Sequence, residues 1–276
     1  MRNYQGSECT FTNLFVWRKC YGICWAISHD CLIVKVTRND ATFVLPPFGA
    51  SEDNLPKVIE ELKDTFAGKP FEMRGIYEET IPLLQAVLHQ PTAIIEDRDN
   101  WDYVYSREGL ANLAGRKYHS KKNHANAFRK EYPGYEFKII TKDDVPECIA
   151  FADLWCEMKG QNAESLRCEF CALEEALYNL ETLNIRGALI RLDGEIQAFT
   201  IGEKINPDMA VIHFEKANPN IRGLYAVINQ DFCAKVWSDV THINREEDMG
   251  LEGLRKAKES YQPEFMVKKY TAVISD

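Results

Sequence analysis

The sequence predicts a mixed α/β protein, with helices and mixed sheets, built as two tandem units over residues 1–134 and 135–276. Three observations carry this. Short apolar runs with strand character alternate along the whole chain with apolar stripes of helical period. In GALIRLDGEIQAFTIGEKI, Asp193-Gly194 joins two apolar runs, the signature of a tight hairpin. Each half also contains one shared run of elements: three strands, a helix, a strand, a helix and a closing strand.

Taken in order, residues 23–27 (ICWAI) and 32–36 (LIVKV) read as strands, with turns at Asp30-Cys31 and Asn39-Asp40. ATFVLPP is a third strand. Helical spacing follows over 54–66, where Leu55, Val58, Ile59, Leu62 and Phe66 share a face. FEMRGI is a strand, 78–90 a helix, and TAIIEDRDNWDYVYS two strands around a turn. Phe11, Leu14, Phe15, Trp17 and Trp25 are expected in the core. The second half opens after Pro133-Gly134 with the strand YEFKII. Asp143 or Asp144 caps a helix over 145–158 with Pro146 in its first turn. A second helix covers 163–183, and the hairpin and a third strand, MAVIHFEKA, follow. A helix over 225–237, the short strand THIN, a helix over 250–261 ended by Pro263, and one last strand, FMVKKYTAVI, complete the order.

The composition is that of a folded globular protein: 276 residues, 45% hydrophobic and 27% charged. No apolar run reaches the roughly 20 residues that span a bilayer, and MRNYQGSECTF lacks a signal-peptide core. Nine scattered cysteines suit reduced thiols, so the expected location is the cytoplasm. Cys168 and Cys171 form a lone CxxC with no second ligand pair, which does not suggest zinc.

A formal charge of -9 argues against generic nucleic-acid binding but does not exclude one local patch. That patch is GRKYHSKKNHANAFRK, residues 115–130, with six Lys and Arg. Tyr118, Ala125, Phe128 and Tyr132 fall on one helical stripe, which is expected to face the core. Lys121 lands inside that stripe, with Lys117 and His124 at its edge. A lysine so placed must snorkel outward or meet an anion. Arg116, Lys117, Lys121 and Lys122 are therefore candidates for holding a phosphate, with a cleft between the halves as the expected setting. In MAVIHFEKA, strand alternation puts Val211, His213 and Glu215 on one face. His213 and Glu215 could form a polar pair, either of which could take a proton from an attacking amine. Asn218-Pro219-Asn220 leads to a helix start near Gly223, where free N–H groups suit phosphate or an oxyanion.

Three longer stretches carry a resemblance: SECTFTNLFVWRKCYGICW, LAGRKYHSKKNHANAFRKEYP and NREEDMGLEGLRKAKESYQP. Together they resemble soluble proteins similar to the C-terminal domain of phosphatidylglycerol lysyltransferase, a tandem GNAT-like fold related to the Fem peptidyltransferases. The second half has the GNAT acyltransferase element order. The resemblance spans nearly the whole chain. It implies transfer of an acyl or aminoacyl group to an amine or hydroxyl, from aminoacyl-tRNA or from acyl-coenzyme A. Acyl-CoA enzymes carry a pyrophosphate loop of the form Arg/Gln-x-x-Gly-x-Gly/Ala. Here the matching stretch is Asn220-Ile221-Arg222-Gly223-Leu224-Tyr225. Only Gly223 fits, and Tyr225 replaces a small residue. Aminoacyl transfer is accordingly favoured over acetyl transfer. Asn244 and Glu246 follow a short strand where GNAT-like folds bind the acceptor, and Tyr261 is similar to the tyrosine that protonates a leaving thiolate. The expected mechanism is direct attack without a covalent enzyme intermediate. The alternative is a non-catalytic binding module of the same fold.

Overall fold

The computed structural model describes residues 4–38, 41–88, 93–159 and 164–275; the turn expected at Asn39-Asp40 lies outside them. The fold is mixed α/β with two mixed sheets, each the centre of one compact unit. The unit boundaries correct the expected division at 134/135. One unit is 17–101 with 267–276, and the other is 1–16 with 102–266.

The smaller unit contains β1 (Cys24–Ser28), β2 (Cys31–Arg38), β3 (Ala41–Val44), α2 (Leu55–Thr65), β4 (Phe71–Tyr77), α3 (Ile81–Val87) and β5 (Ile94–Glu96). β13 (Lys269–Ile274) returns to pair with both β4 and β5. The sheet order is β1-β2-β3-β4-β13-β5, with β3 and β4 parallel. Leu55, Val58, Ile59 and Leu62 of α2 are buried on the sheet, as their spacing requires. His29 and Asp30 both have positive φ, so the first hairpin turns there, with Cys31 already in β2.

The larger unit holds α1 (Phe11–Val16), β6 (Asp102–Ser106), α4 (Arg107–Asn112), α5 (His119–Glu131), β7 (Glu136–Ile139), α6 (Val145–Lys159) and α7 (Glu164–Tyr178). β8 (Arg186–Leu192), β9 (Glu195–Asn206), β10 (Met209–Ala217), α8 (Leu224–Lys235), β11 (His242–Asn244), α9 (Glu252–Glu259) and β12 (Phe265–Val267) complete it. Its sheet order is β12-β6-β11-β10-β9-β8-β7, with β10 and β11 parallel. Asp193 and Gly194 turn the β8–β9 hairpin with positive φ at both positions.

The two sheets are built alike, and the likeness explains the boundary. In each, a run of antiparallel strands, three in the smaller sheet and four in the larger, leads to a parallel neighbour, and one strand is inserted before the last. The inserted strand comes from the other half of the sequence: β6 directly follows β5 yet joins the larger sheet, and β13 directly follows β12 yet joins the smaller one. The two strands expected around a turn in TAIIEDRDNWDYVYS are present as β5 and β6 but lie in different sheets, and FMVKKYTAVI is two strands in different sheets rather than one.

Tyr118, Ala125 and Phe128 are buried against Leu224, Val227 and Ile228 of α8, which fixes the face of α5. Gly223 makes this approach possible. It has φ +86°, and a Cβ there would lie 2.2 Å from the His124 carbonyl oxygen. Two core expectations fail near the start. Phe11 and Trp25 are each 69% exposed, Phe11 because α1 buries Thr12 and Val16, and Trp25 because β1 is an edge strand. Gly223→Ala is expected to lower stability by about 2–4 kcal/mol through strain and collision with α5, measured by urea unfolding.

Candidate active site

β10 and β11 pair over only three residues, Met209–Val211 with His242–Asn244. β10 runs on to Ala217, and among the described residues nothing pairs on that side beyond Val211. Side chains occupy the gap. Arg245 follows β11, and its Nη2 donates to Glu215 Oε1 of β10 at 2.9 Å. Asn229 of α8 donates to Glu215 Oε2 at 3.1 Å. The Arg245 guanidinium lies over the Tyr261 ring at 4.9 Å, and Lys121 Nζ lies over the same ring at 4.1 Å.

A bulge aims Glu215. Pairing with β9 steps from Ile212–Gly202 to Phe214–Ile201, leaving His213 extra. Gly202 admits the Val211 carbonyl there, since a Cβ would stand 2.2 Å from its oxygen. Before the bulge Ala210 and Ile212 join the core under α8, with Phe232 and Trp237; after it, Ala217 packs against α8 residues and Glu215 reaches Asn229. The parity of the strand inverts at His213. His213 and Glu215 thus lie on opposite faces and do not form the expected pair.

The site has two cations and one carboxylate. Arg245 Nη1 is buried without a hydrogen-bond partner. Lys121 Nζ makes no hydrogen bond or ion pair among the described residues; the Tyr261 ring is its contact. Burial lowers the Lys121 pKa, the Arg245 charge lowers it further, and Glu215 offsets part of this. Burial pushes the Tyr261 hydroxyl up to about 12 against the opposing pull of Arg245. At neutral pH Tyr261 stays neutral beside the Arg245 guanidinium and the Lys121 amine, a poor proton donor for a departing thiolate.

His213 belongs to a separate, closed network. Its Nε2 meets Glu203 and its Nδ1 meets Glu246, both at 2.9 Å. Burial opposes its charge, but these two carboxylates prevail and raise the pKa to about 9. With its proton held and both nitrogens engaged, it cannot accept a proton from an amine at neutral pH. Glu246 also accepts from Asn13 of α1. Asn244 is wholly buried: it donates to Gln5 O and Asp102, and accepts from the Glu246 N–H. Its amide is fully used, so the acceptor role expected for Asn244 gives way to a bracing one. The loop after it is held as firmly. Lys258 donates to the carbonyls of Arg245 and Glu247, and Asp248 accepts from Tyr103 and twice from Arg255.

Of the other expected phosphate contacts, Arg116, Lys117 and Lys122 are exposed at the start of α5, while Lys121 turns inward within the larger unit. Asn220 sits in an exposed turn with its N–H on Asn218 Oδ1. Gly223 serves the α5–α8 approach. The Tyr225 hydroxyl lies 3.0 Å from Trp155 Nε1.

The sequence matches the family described as phosphatidylglycerol lysyltransferase, C-terminal, from residue 2 to residue 273. The chain belongs to that family. A conserved protein of unknown function from Bacteroides thetaiotaomicron is 37% identical over 99% of this chain and 93% of its own, with a TM-score of 0.91. L-PGS from Bacillus licheniformis shares the fold at 18% identity and a TM-score of 0.63, covering 98% of this chain and 93% of that one. FemX does so at 8% identity and 0.64, covering 99% and 94%. An uncharacterized protein of Mycoplasmoides gallisepticum is 27% identical over 173 residues, 61% of this chain. The chain spans about half, 54%, of that curated relative. Family and fold make this an aminoacyl- or acyltransferase-like domain. No helix among the described residues is long and apolar enough to cross a membrane.

Arg245 is the site residue that sequence reasoning passed over in favour of its neighbours. Strand alternation holds the signal: Ile243 is core, so Arg245 continues a core-facing row. Two outcomes follow from the charges. Glu215→Gln strands the Arg245 cation and should cost about 3–5 kcal/mol in urea unfolding. His213 has a folded pKa above its unfolded value of 6.5, so its contribution is complete below 6.5 and is lost as pH rises through about 9. Unfolding free energies at pH 6 and pH 9.5 should therefore differ by on the order of 3 kcal/mol more in the parent than in His213→Gln.

Proposed function

We propose that the protein transfers an acyl group from an activated donor to an amine or hydroxyl acceptor, and that the donor is an aminoacyl-tRNA. One observation carries the reading: a buried guanidinium with a free N–H, Arg245 Nη1, beside the unpaired Lys121 amine, in a chain of this family. A fixed N–H donor in a site shielded from water suits a carbonyl oxygen as it gains negative charge. Arg116 and Lys117 in the turn that leads into α5, and Lys122 in its first turn, are exposed and suit the phosphates of a nucleic-acid donor. Tyr225, engaged with Trp155, replaces the small residue that an acyl-CoA loop would carry, which favours the aminoacyl donor.

The test uses labelled aminoacyl-tRNA and labelled acetyl-CoA with a panel of amine, hydroxyl and peptide acceptors. Label is expected to move from the charged tRNA only. Arg245→Lys should reduce transfer about 10²–10³-fold, as loss of an oxyanion donor does. Replacing Arg116, Lys117 and Lys122 together by Ala should weaken tRNA binding and flatten its log–log salt dependence by roughly 2–3. Transfer from acetyl-CoA alone would reject the donor; tRNA binding without transfer to any acceptor would favour a binding module.

A further inference from the structure

We propose that Lys121 is the general base that takes the proton from the acceptor's attacking nitrogen or oxygen. The inference rests on the acyl-transfer reading and gives a role to a group which that reading leaves without a task.

The other titratable groups near the gap are already committed. Glu215 uses one oxygen on Arg245 and the other on Asn229. Tyr105 donates to the Lys258 carbonyl. His213 is closed between two carboxylates on the opposite face of β10. Cys233 is fully buried, and burial pushes its thiol up to about 12. Lys121 is different in three respects. It is half-buried rather than enclosed. It makes no hydrogen bond or ion pair among the described residues. It also shares the Tyr261 ring with Arg245, a cation that cannot give up its charge. The groups that bear on it are Arg245 after β11, Glu215 on β10 and Tyr261 after α9. Burial lowers the Lys121 pKa most and the Arg245 charge lowers it further, while Glu215 opposes them, so this amine gives up its proton more readily than an ordinary lysine and then has a free electron pair.

The step balances without a further reagent. As the acceptor nitrogen or oxygen attacks the donor ester carbon, the new C–N or C–O bond forms and its proton passes to Lys121 Nζ. The bond from the carbonyl carbon to the donor's leaving oxygen then breaks, and that oxygen takes the proton back, restoring the neutral amine.

Two measurements test this. In the first, the full chain is reductively methylated with ¹³C-formaldehyde, and the methyl resonance absent from Lys121→Arg is followed through a pH titration. It is expected to titrate at lower pH than the main group of lysine signals; titration with that group would overturn the proposal. In the second, transfer is measured against pH for the parent, Lys121→Arg and Lys121→Ala. Arginine keeps the charge but cannot act as the base, so kcat/KM should fall about 10²–10⁴-fold with donor KM unchanged. Added small primary amines should restore activity to Lys121→Ala. If Lys121→Arg transfers at the parent rate, the residue is only an electrostatic contact and the base role fails while acyl transfer stands. If the parent transfers from no donor, both fail together.

Discussion

The ion pair between Arg245 and Glu215 occupies the place where backbone pairing between β10 and β11 stops. A sheet that loses its ladder in the interior leaves polar groups to be satisfied, and here side chains take over from the backbone. Such a pair is costly to bury and stable only with further partners. Asn229 supplies one on the carboxylate, and the rings of Tyr105 and Tyr261 cover the guanidinium. The bulge at His213 is a precondition, because without the inverted parity Glu215 would point away from α8. The braces from Lys258, Asn244 and Asp248 fix the backbone that carries Arg245. These buried polar contacts, scattered along the sequence, serve one local geometry.

β10 separates two electrostatic centres that differ in saturation. On one face His213 has both ring nitrogens held by Glu203 and Glu246, and Asn13 donates to Glu246, which ties α1 to the sheet. On the other, Arg245 Nη1 and Asn229 Oδ1 are buried without partners, and Lys121 has only a ring beneath it. A closed network stabilises and has little left to offer a substrate. An open one sacrifices stability for donors already in place. His213 and Lys121 thereby exchange the roles that their residue types suggest: the histidine is a fixed cation, and the lysine is the group with an uncommitted nitrogen.

Elements with a strong local period were legible in the sequence, among them the Asp193-Gly194 hairpin, the buried face of α2 and the Tyr118–Ala125–Phe128 stripe of α5. What was not legible depends on partners distant along the chain. The insertion of β6 and β13 into each other's sheets leaves no mark on the residues between β5 and β6 or between β12 and β13, which read as a turn and as continuous strand. The bulge at His213 is equally silent, since period-two alternation carries straight across it. Of the site, Lys121 was found because a lysine in an apolar stripe is an anomaly. Arg245 was hidden because β11 is only three residues long, so its core-facing row can be read only once Ile243 is known to be core.

The two like-built sheets raise the question of why only one carries such a site. In the smaller sheet the parallel pairing ends at Val44 with Met73, and the next residue on β4 is Arg74, one step past the pairing as Arg245 is, but on the face away from α2, since Met73 is the residue in the core with Leu55 and Val58. Arg74, however, pairs with Glu72 two residues away and lies over the Phe43 ring at 4.6 Å, half-exposed. A second difference lies in the neighbouring strand. β10 continues from Val211 to Ala217 and supplies Glu215, whereas β3 ends where its pairing ends and meets Pro46 and Pro47. Proline lacks the N–H needed to extend a ladder, so no strand continues to face the arginine. Without that overhang there is no gap to fill, no carboxylate to draw the guanidinium inward and no buried free N–H. The face the arginine takes and the extra length of the strand beside it together set the larger unit apart.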